Sequence, residues 1–255
     1  MKTERMRERL AGLPGRIGFL ARDTVTGEEL RFGAEQPIEA ASVIKLCVMA
    51  EAFRQREAGL LDFTREVEVR PEDCLPSCGA LSYMHRDIRV QVADLVTLMI
   101  ILSDNTATNL LIDMLGPENI NAMISVCGLS ATALRRKLFR PELARQGIRN
   151  TISAADMARL LSLMLEGKLV SPDASAEMLR ILGNQRLNGK MPFHLHSRGI
   201  RCAHKTGEDD GITHDVGVIG TEHPVIFCFL SEQTDVPVAE RALQDLAAWA
   251  AGLDV

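Results

Sequence analysis

The chain has 255 residues, of which 46% are apolar and only 4% aromatic, and its formal net charge is −5 at pH 7. This length suits one large domain or two closely packed lobes with a mostly aliphatic core. Charges of both signs are interspersed, and neither a basic stripe nor an aromatic-rich segment points to nucleic acid. We therefore expect a soluble globular protein with no nucleic-acid partner.

The N-terminal segment carries charges but no apolar run long enough for a secretory signal. No segment reaches the length of a transmembrane helix, because the longest apolar stretch, 95–102, is interrupted by Thr97. The sequence thus predicts no membrane association. It predicts a cytoplasmic location for the chain as given, or a periplasmic or secreted one if a leader was removed. We also expect a monomer.

The six cysteines fit a reducing compartment, where they would act as small buried apolar residues. Cys74 and Cys78 are close enough for a disulfide, and the sequence leaves that pairing open. No second cysteine pair or histidine pair stands beside them, so we expect no metal and no cofactor. A solvent-facing loop explains His194 and His196 better than a strand with two metal ligands does.

In chain order, the residue pattern predicts strands near both ends and helices between them. Runs bounded by turn residues predict strands at 16–22, 29–32, 200–204, 217–220 and 225–230. Apolar periodicity predicts helices at 43–53, 95–102, 109–115, 120–126, 157–165 and 174–182, and a last amphipathic helix from Pro237. Helix starts are expected at Pro117, Ser153 and Ser171.

Strands at both ends with helices between them predict an α+β fold. An antiparallel sheet built from both termini would be flanked by helices, and an all-helical lobe would be inserted into it. The predicted α/β lobe comprises about residues 1–61 and 197–255, and the helical lobe about 62–196, within one catalytic domain over 1–255. The cleft between the lobes is the expected place for an active site.

Three short motifs combine residue types that serve acyl-transfer chemistry. Each motif alone is weak, because Ser-x-x-Lys occurs by chance in many chains, but their joint occurrence in this order is a strong signal. The motifs are Ser42-Val43-Ile44-Lys45, Ser103-Asp104-Asn105 and Lys205-Thr206-Gly207.

Ser42 and Lys45 form the first candidate pair. Ser42 is expected to open the buried helix at the positive end of its dipole, with Lys45 one turn later on the same face. Lys45 is the only charged residue between Val43 and Ala50. Apolar surroundings favour a neutral amine, which can accept the serine proton. The alternative is a lysine that reaches the surface from a helix end, and the other two motifs outweigh it.

The second motif follows one buried helix and precedes the next. Ser103, Asp104 and Asn105 are all suited to a helix N-cap. They can also serve the chemistry, with Ser103 relaying a proton to the leaving nitrogen and Asn105 contacting the substrate acyl chain. The two interpretations are compatible.

The third motif is expected at the end of the strand over 200–204. Gly207 would let a substrate lie against the strand edge, and Lys205 and Thr206 would bind a carboxylate. The alternative is a strand that ends in a turn, since Gly207 is followed by Glu-Asp-Asp-Gly.

Together the motifs resemble those of class A β-lactamases and the related penicillin-recognising serine hydrolases. The resemblance runs from about Arg16 to the C-terminal helix, and Ser-Asp-Asn-Thr-Ala-Thr-Asn-Leu-Leu at 103–111 and Asn-Thr-Ile-Ser at 150–153 contribute to it. It implies a two-lobe fold, an acyl-enzyme on Ser42 and no metal. It also implies an oxyanion hole formed by the backbone N–H groups of Ser42 and Glu208.

The sequence departs from this family at the residue that releases the acyl-enzyme. Members with rapid penicillin turnover carry a water-activating glutamate in a Glu-Pro-Glu-Leu-Asn stretch. The comparable stretch here, 140–144, has Arg140 in place of that glutamate and Ala144 in place of the asparagine. Glu142 is the only acidic residue nearby. The resemblance therefore predicts fast or moderate acylation and slow release, unless Glu142 swings in or Lys45 serves both half-reactions.

A second departure concerns the substrate carboxylate. His214 stands where many family members place an arginine that binds this group. A histidine is mostly neutral at pH 7, and Asp215 beside it is expected to point to the other face of the strand. We therefore expect weaker carboxylate binding that improves below about pH 6.5.

The sequence leaves three functions open, all on a small acyl substrate. The first is a β-lactamase-like hydrolase acting on β-lactams or related amides and esters. The second is a D-alanyl-D-alanine peptidase or esterase, favoured by the missing glutamate and disfavoured by the lack of a leader. The third is a sensor domain that holds the adduct without turnover. A purely structural protein would not need three catalytic motifs in this order.

Overall fold

A computed structural model describes residues 2–76, 78–85 and 87–253. The helices are α1 (Lys2–Ala11), α2 (Lys45–Glu57), α3 (Val92–Ile101), α4 (Asn105–Leu115), α5 (Pro117–Val126), α6 (Pro141–Arg145), α7 (Ala154–Leu165), α8 (Pro172–Gly183) and α9 (Val236–Ala250). The strands are β1 (Arg16–Asp23), β2 (Glu29–Phe32), β3 (Ile38–Glu39), β4 (Glu66–Val69), β5 (Ile88–Gln91), β6 (Thr151–Ile152), β7 (Arg201–Asp209), β8 (Ile212–Gly220) and β9 (Val225–Glu232).

The main sheet has five antiparallel strands in the order β2-β1-β9-β8-β7. The N-terminal strand β1 pairs along its whole length with the C-terminal strand β9, from Arg16 opposite Glu232 to Asp23 opposite Val225. Both ends of the chain therefore complete one sheet, and the helices α2 to α8 are inserted between β3 and β7. This architecture confirms the predicted α+β fold. The division into two lobes near residues 61 and 197 stays a prediction.

The two faces of the sheet bury different side chains, as the period-two geometry of strands requires. One face packs Phe19, Phe227 and Phe229 against α1 and α9. The other face joins the large core formed by α2 to α5, α7 and α8. Helix α2 lies at the centre of this core, and every residue from Val43 to Phe53 is buried. The apolar run therefore marks a central helix, as expected from its lack of a polar face.

Several predicted boundaries are confirmed by the local chemistry. The hydroxyls of Ser153 and Ser171 accept hydrogen bonds from the N–H groups of Asp156 and Ala174, which caps α7 and α8. Pro117 is the first residue of α5, where its missing N–H leaves no helical bond unmade.

Other boundaries differ from the prediction. The strand that carries the third motif does not end at His204 but continues as β7 to Asp209, so Lys205 to Gly207 lie within it. Strand β7 extends this far because its pairing with β8 continues to Asp209, which stands opposite Ile212. Helix α1, which the sequence did not reveal, buries Met6 and Leu10 against the sheet.

Within the described residues, no helix is long and apolar enough to cross a membrane. The same part of the chain contains no group of three or more histidine, cysteine, aspartate or glutamate residues arranged to hold a metal ion.

The space around Gly217 and Gly183 predicts opposite effects for their substitution by alanine. A Cβ at Gly217 would lie 2.3 Å from the carbonyl oxygen of Ala203 and 2.6 Å from His204 Cα, both on the paired strand. Gly217→Ala should therefore destabilise the protein by about 1–3 kcal/mol or more, because the backbone of β7 cannot shift away without disturbing its pairing with β8. A Cβ at Gly183, the last residue of α8, meets nothing within 4 Å. Gly183→Ala should stabilise by about 0.5 kcal/mol.

Urea unfolding followed by circular dichroism measures both free energies. Equal effects of the two substitutions, or a neutral Gly217→Ala, would contradict the β7–β8 packing.

Candidate active site

Ser42 lies in a short 3₁₀ turn, Ala41–Ile44, directly before helix α2. The expectation that Ser42 opens the α-helix was wrong in detail, because the regular helix begins at Lys45. Ala41 adopts a positive φ of 42°, which turns the chain sharply between β3 and the helix. Ser42 is half-buried, whereas Val43 and Ile44 are fully buried beside it. The turn thus holds the hydroxyl at the surface of the core.

The Lys45 amine lies at the centre of a group of oxygen atoms. Its Nζ is 2.9 Å from Ser42 Oγ, 2.8 Å from Asn105 Oδ1, 3.0 Å from Ser103 Oγ and 2.7 Å from the Ser103 carbonyl oxygen. The first two motifs therefore meet at one nitrogen, although about 60 residues separate them along the chain. The side chain is fully buried. No carboxylate is among these four contacts.

Burial lowers the pKa of Lys45 well below its usual value, and the neighbouring charge of Lys205 lowers it further. Removing an ammonium group from water is costly, and neutral oxygen atoms compensate for this only in part. A neutral amine has a lone pair, so Lys45 can accept the proton of the Ser42 hydroxyl at 2.9 Å.

The second motif is held by a strained backbone and a buried carboxylate. Ser103 has a positive φ of 54°, and both its hydroxyl and its carbonyl oxygen contact Lys45. Asp104 caps α4 by accepting from Ala107 N–H, and its other oxygen accepts from the N–H groups of Ala80 and Leu81. These three hydrogen bonds stabilise a conformation that would cost about 1–2 kcal/mol by itself.

The third motif extends the polar chain to the sheet. Lys205 Nζ lies 3.0 Å from Ser103 Oγ and donates to the Thr206 carbonyl oxygen at 2.8 Å. Burial is the main reason that the pKa of Lys205 falls to about 7. Ser103 Oγ thus stands between two lysine amines, each 3.0 Å away. Because a hydroxyl can donate and accept, it can pass a proton between them.

A cleft of about 300 Å³ opens beside Ser42. Its lining includes Asn105, Phe139, Asn150 and Glu208. One side is β7, the edge strand of the sheet, so alternate backbone groups of β7 point away from β8. Gly207 packs closely here, because a Cβ would lie 3.0 Å from His214 Cδ2 and 3.1 Å from Val43 Cγ2.

His214 does not offer a charge to the cleft. It is fully buried, its Nε2 donates to the Glu39 carbonyl oxygen at 2.8 Å, and its Nδ1 accepts from Ser231 N–H at 3.1 Å. Burial lowers the pKa of His214 to about 4. The expectation of stronger carboxylate binding below about pH 6.5 therefore has no protonated imidazole to support it. Asp215 points to the other face, as expected, and contacts His204 at 2.8 Å.

Arg140 and Glu142 form an exposed ion pair with each other. This pairing is the first cause that lowers the pKa of the Glu142 carboxyl. Neither residue is among those that line the Ser42 cleft, whereas their neighbour Phe139 is. From this loop, Phe139 therefore lines the cleft, whereas the family resemblance led us to look for a water-activating carboxylate.

Two of the three carboxylates that line the cleft are ion-paired. Glu39 lies 2.9 Å from Arg136 Nη2 and 3.3 Å from Arg149 Nε. Glu208 lies 3.0 Å from Lys190 Nζ. The third, Asp209, accepts a hydrogen bond from the Asp210 N–H at 2.9 Å.

Sequence reasoning did not predict that Cys78 lines the cleft. Its thiol donates to the Ser103 carbonyl oxygen at 3.3 Å, and its sulfur is 3.5 Å from Asn105 Nδ2. Gly79 allows this approach, because a Cβ there would lie 2.4 Å from Asp104 Oδ2. No local pattern signals this contact. Cys78 and Cys74 are separate thiols, which answers the question that the sequence left open.

His194 and His196, which the sequence analysis compared with a pair of metal ligands, do not line this cleft. His194 Nε2 is 3.1 Å from Asp245 Oδ1 on α9, and His196 begins a 3₁₀ turn, His196–Arg198. Both belong to the loop between α8 and β7, as expected.

The profile of the Beta-lactamase enzyme family matches residues 2–251. A β-lactamase from Sphaerobacter thermophilus is 28% identical, with 99% of this chain and 98% of that chain covered and a TM-score of 0.90. An ancestral class A β-lactamase is 25% identical over 97% of each chain, with a TM-score of 0.86. PBP-A, 24% identical over 98% of this chain and 94% of that chain, shares the fold with a TM-score of 0.88.

The charge of Lys205 predicts how carboxylate binding depends on pH. Its pKa of about 7 makes it cationic below this value and neutral above it, whereas His214, with a pKa of about 4, stays neutral from pH 6 to 8. The dissociation constant of a carboxylated substrate before it reacts should therefore rise by up to about tenfold from pH 6 to 8, with a midpoint near 7.

Single-turnover kinetics at several concentrations of a carboxylated substrate and of its methyl ester, which removes the charge, test this dependence. His214→Gln should leave the midpoint unchanged. A midpoint that moves or vanishes in that variant would assign the titration to the histidine.

Proposed function

The chain belongs to the Beta-lactamase enzyme family, and from that premise we propose that it is a serine hydrolase that forms an acyl-enzyme on Ser42. Its substrates are β-lactams or related amides and esters. The observation that carries the proposal is the fully buried Lys45 amine, 2.9 Å from Ser42 Oγ and without a carboxylate among its contacts.

In the proposed acylation, Ser42 Oγ attacks the substrate carbonyl carbon while its proton passes to Lys45 Nζ. The new Oγ–C bond converts the carbonyl oxygen into an oxyanion. The C–N bond then breaks, and the leaving nitrogen takes the Ser103 hydroxyl proton, which Lys45 replaces. The 3.0 Å contact between Lys45 Nζ and Ser103 Oγ supports this route. Lys45 ends neutral, as it began.

The proposed substrate contacts use the edge of β7 and the start of α4. The backbone N–H groups of Ser42 and Glu208 stabilise the oxyanion, and each such donor is typically worth about 10²–10³ in rate. Asn105 contacts the acyl amide. Lys205 and Thr206 bind a carboxylate where the substrate has one.

Release of the acyl group is proposed to be slow. Arg140 replaces the expected general base, and Glu142 is held in an exposed ion pair outside the cleft lining. Loss of general-base catalysis typically lowers a rate by about 10²–10⁴, or raises its barrier by about 3–5 kcal/mol. The acyl-enzyme should therefore accumulate.

A second candidate is an esterase that acts on substrates without a carboxylate. The neutral, fully hydrogen-bonded His214 favours it, because the cleft then lacks the cation expected at this position. A peptidase acting on a C-terminal D-alanine is less favoured for the same reason, since that substrate carries a carboxylate.

Intact-mass spectrometry with a penicillin tests the proposal. We expect the protein to gain the mass of the whole penicillin, because a ring-opened β-lactam keeps its leaving amine. The adduct should persist after free drug is removed and should be absent in Ser42→Ala. Rapid hydrolysis without a persistent adduct would contradict slow release, and an adduct in Ser42→Ala would contradict the nucleophile.

Parallel assays with a chromogenic cephalosporin and an activated ester separate the alternatives. Ester hydrolysis without cephalosporin hydrolysis would indicate the esterase. A stoichiometric adduct with turnover of neither substrate would indicate a binding or sensor protein.

A further inference from the structure

The loop between α8 and β7 carries a buried lysine that the proposed chemistry does not use. The side chain of Lys190 is only 4% exposed. Its Nζ donates to the Gly207 carbonyl oxygen at 3.1 Å and to Glu208 Oε1 at 3.0 Å, and it lies 3.5 Å from the His214 carbonyl oxygen. The ammonium group therefore sits against the β7–β8 pair, at the point where β7 borders the cleft.

The carbonyl that Lys190 contacts belongs to a particular peptide group. The Gly207 C=O and the Glu208 N–H share one peptide unit, and no described peptide bond is cis. In a trans peptide these two groups point in opposite directions. The Thr213 N–H and C=O both bond to Ser231 on β9, so the backbone groups of the next residue, His214, face β7. Gly207 stands opposite His214 in the β7–β8 register, so its C=O faces β8 and the Glu208 N–H faces the open edge of β7. That edge borders the cleft lined by Ser42 and Glu208.

We propose that Lys190 is a positioning residue that strengthens the Glu208 N–H as an oxyanion donor by polarising the Gly207–Glu208 peptide from behind. The inference rests on the proposed function, in which this N–H receives the oxyanion. A cation at the carbonyl oxygen increases the double-bond character of the C–N bond and leaves the N–H hydrogen more positive. Hydrogen bonds from charged donors are also stronger than those between neutral groups.

The Glu208 carboxylate weakens the polarisation of the peptide by Lys190. It neutralises part of the Lys190 charge, but the Glu208 side chain is 69% exposed, so water screens the pair. Removing the carboxylate should leave more of the charge acting on the peptide. Lys190 and Glu208 substitutions are therefore expected to change the donor strength in opposite directions, which a purely structural ion pair would not do.

A change in rate alone would not identify this mechanism. The Lys190 charge also contributes, after the larger effect of burial, to the lowered pKa of Lys205. A Lys190 substitution could thus alter acylation through Lys205. The test therefore needs readouts of the peptide itself.

The first readout requires no substrate. Gly-Glu occurs twice in the sequence, at Gly27–Glu28 and at Gly207–Glu208. Protein labelled with ¹³C-carbonyl glycine and ¹⁵N glutamate therefore gives two peptide cross-peaks in a carbonyl–amide correlation spectrum. In Lys190→Met, the Gly207 ¹³C and Glu208 ¹⁵N signals should both move upfield. The Gly27–Glu28 signal serves as an internal control, and Lys168→Met, at an exposed lysine, matches the change in charge.

The second readout is the carbonyl stretching frequency of the acyl-enzyme, measured by isotope-edited infrared spectroscopy. Lys190→Met should raise this frequency, because a weaker donor polarises the ester less, and Glu208→Gln should lower it. The acylation rate constant should fall about twofold to eightfold in Lys190→Met, if polarisation supplies 10–30% of one donor's effect. Lys190→Gln, which keeps a neutral donor, should lie between Lys190→Met and the wild type. Thermal unfolding verifies that each variant is folded.

The outcomes separate this inference from the proposed function. Unchanged Gly207 and Glu208 shifts in a folded Lys190→Met would overturn the inference even if acylation is normal. Shifts that move as expected without any acyl-enzyme would support the polarised peptide and count against the acyl-transfer function. Frequency changes of the same sign in Lys190→Met and Glu208→Gln would also overturn the inference.

Discussion

The burial of the Lys45 amine is the constraint on which the rest of the site depends. An ammonium group in a core with no carboxylate partner is unstable, so burial favours the neutral form. The same oxygen atoms that surround the nitrogen belong to Ser42, Ser103 and Asn105. The energetic cost of burying the charge thus keeps the amine neutral, which leaves its lone pair free to accept a serine proton. A fold that left Lys45 at the surface would have the same motif without this reactivity.

The backbone that holds those oxygen atoms in place is strained at two residues. Ala41 and Ser103 both have positive φ angles. Ala41 is the first residue of the 3₁₀ turn before α2, and Ser103 lies two residues before the start of α4. The strain is local, whereas its compensation is distant: Asp104 binds the backbone of Ala80 and Leu81, more than 20 residues earlier. Strained residues that persist at a site indicate that the surrounding structure determines their conformation.

The sequence predicted which candidate residues meet better than it predicted their environment. Ser42, Lys45 and Ser103 were identifiable as candidates because residue type and order along the chain carry the signal, and the structure brings them together. The neutral state of His214 was not, because it depends on two backbone partners, Glu39 and Ser231, that no local pattern connects. Lys190 was missed for the same reason. The continuation of β7 past Gly207 follows from pairing with β8, which a strand's own residues do not specify.

The residues proposed for acylation and those sought for release lie on separate parts of the chain, with different structural roles. The groups proposed for acylation lie in the 3₁₀ turn before α2, at the starts of α2 and α4, and on β7. These segments border the core, so changing them disturbs packing. Arg140 and Glu142 form an exposed pair, and such pairs contribute little to stability. Under the proposed function, a general base on this loop can therefore be lost at almost no cost to the fold, whereas the proposed nucleophile cannot be moved without disturbing the core. The same proposal implies that one fold can keep its acylating residues while the lifetime of the acyl-enzyme varies with a surface loop.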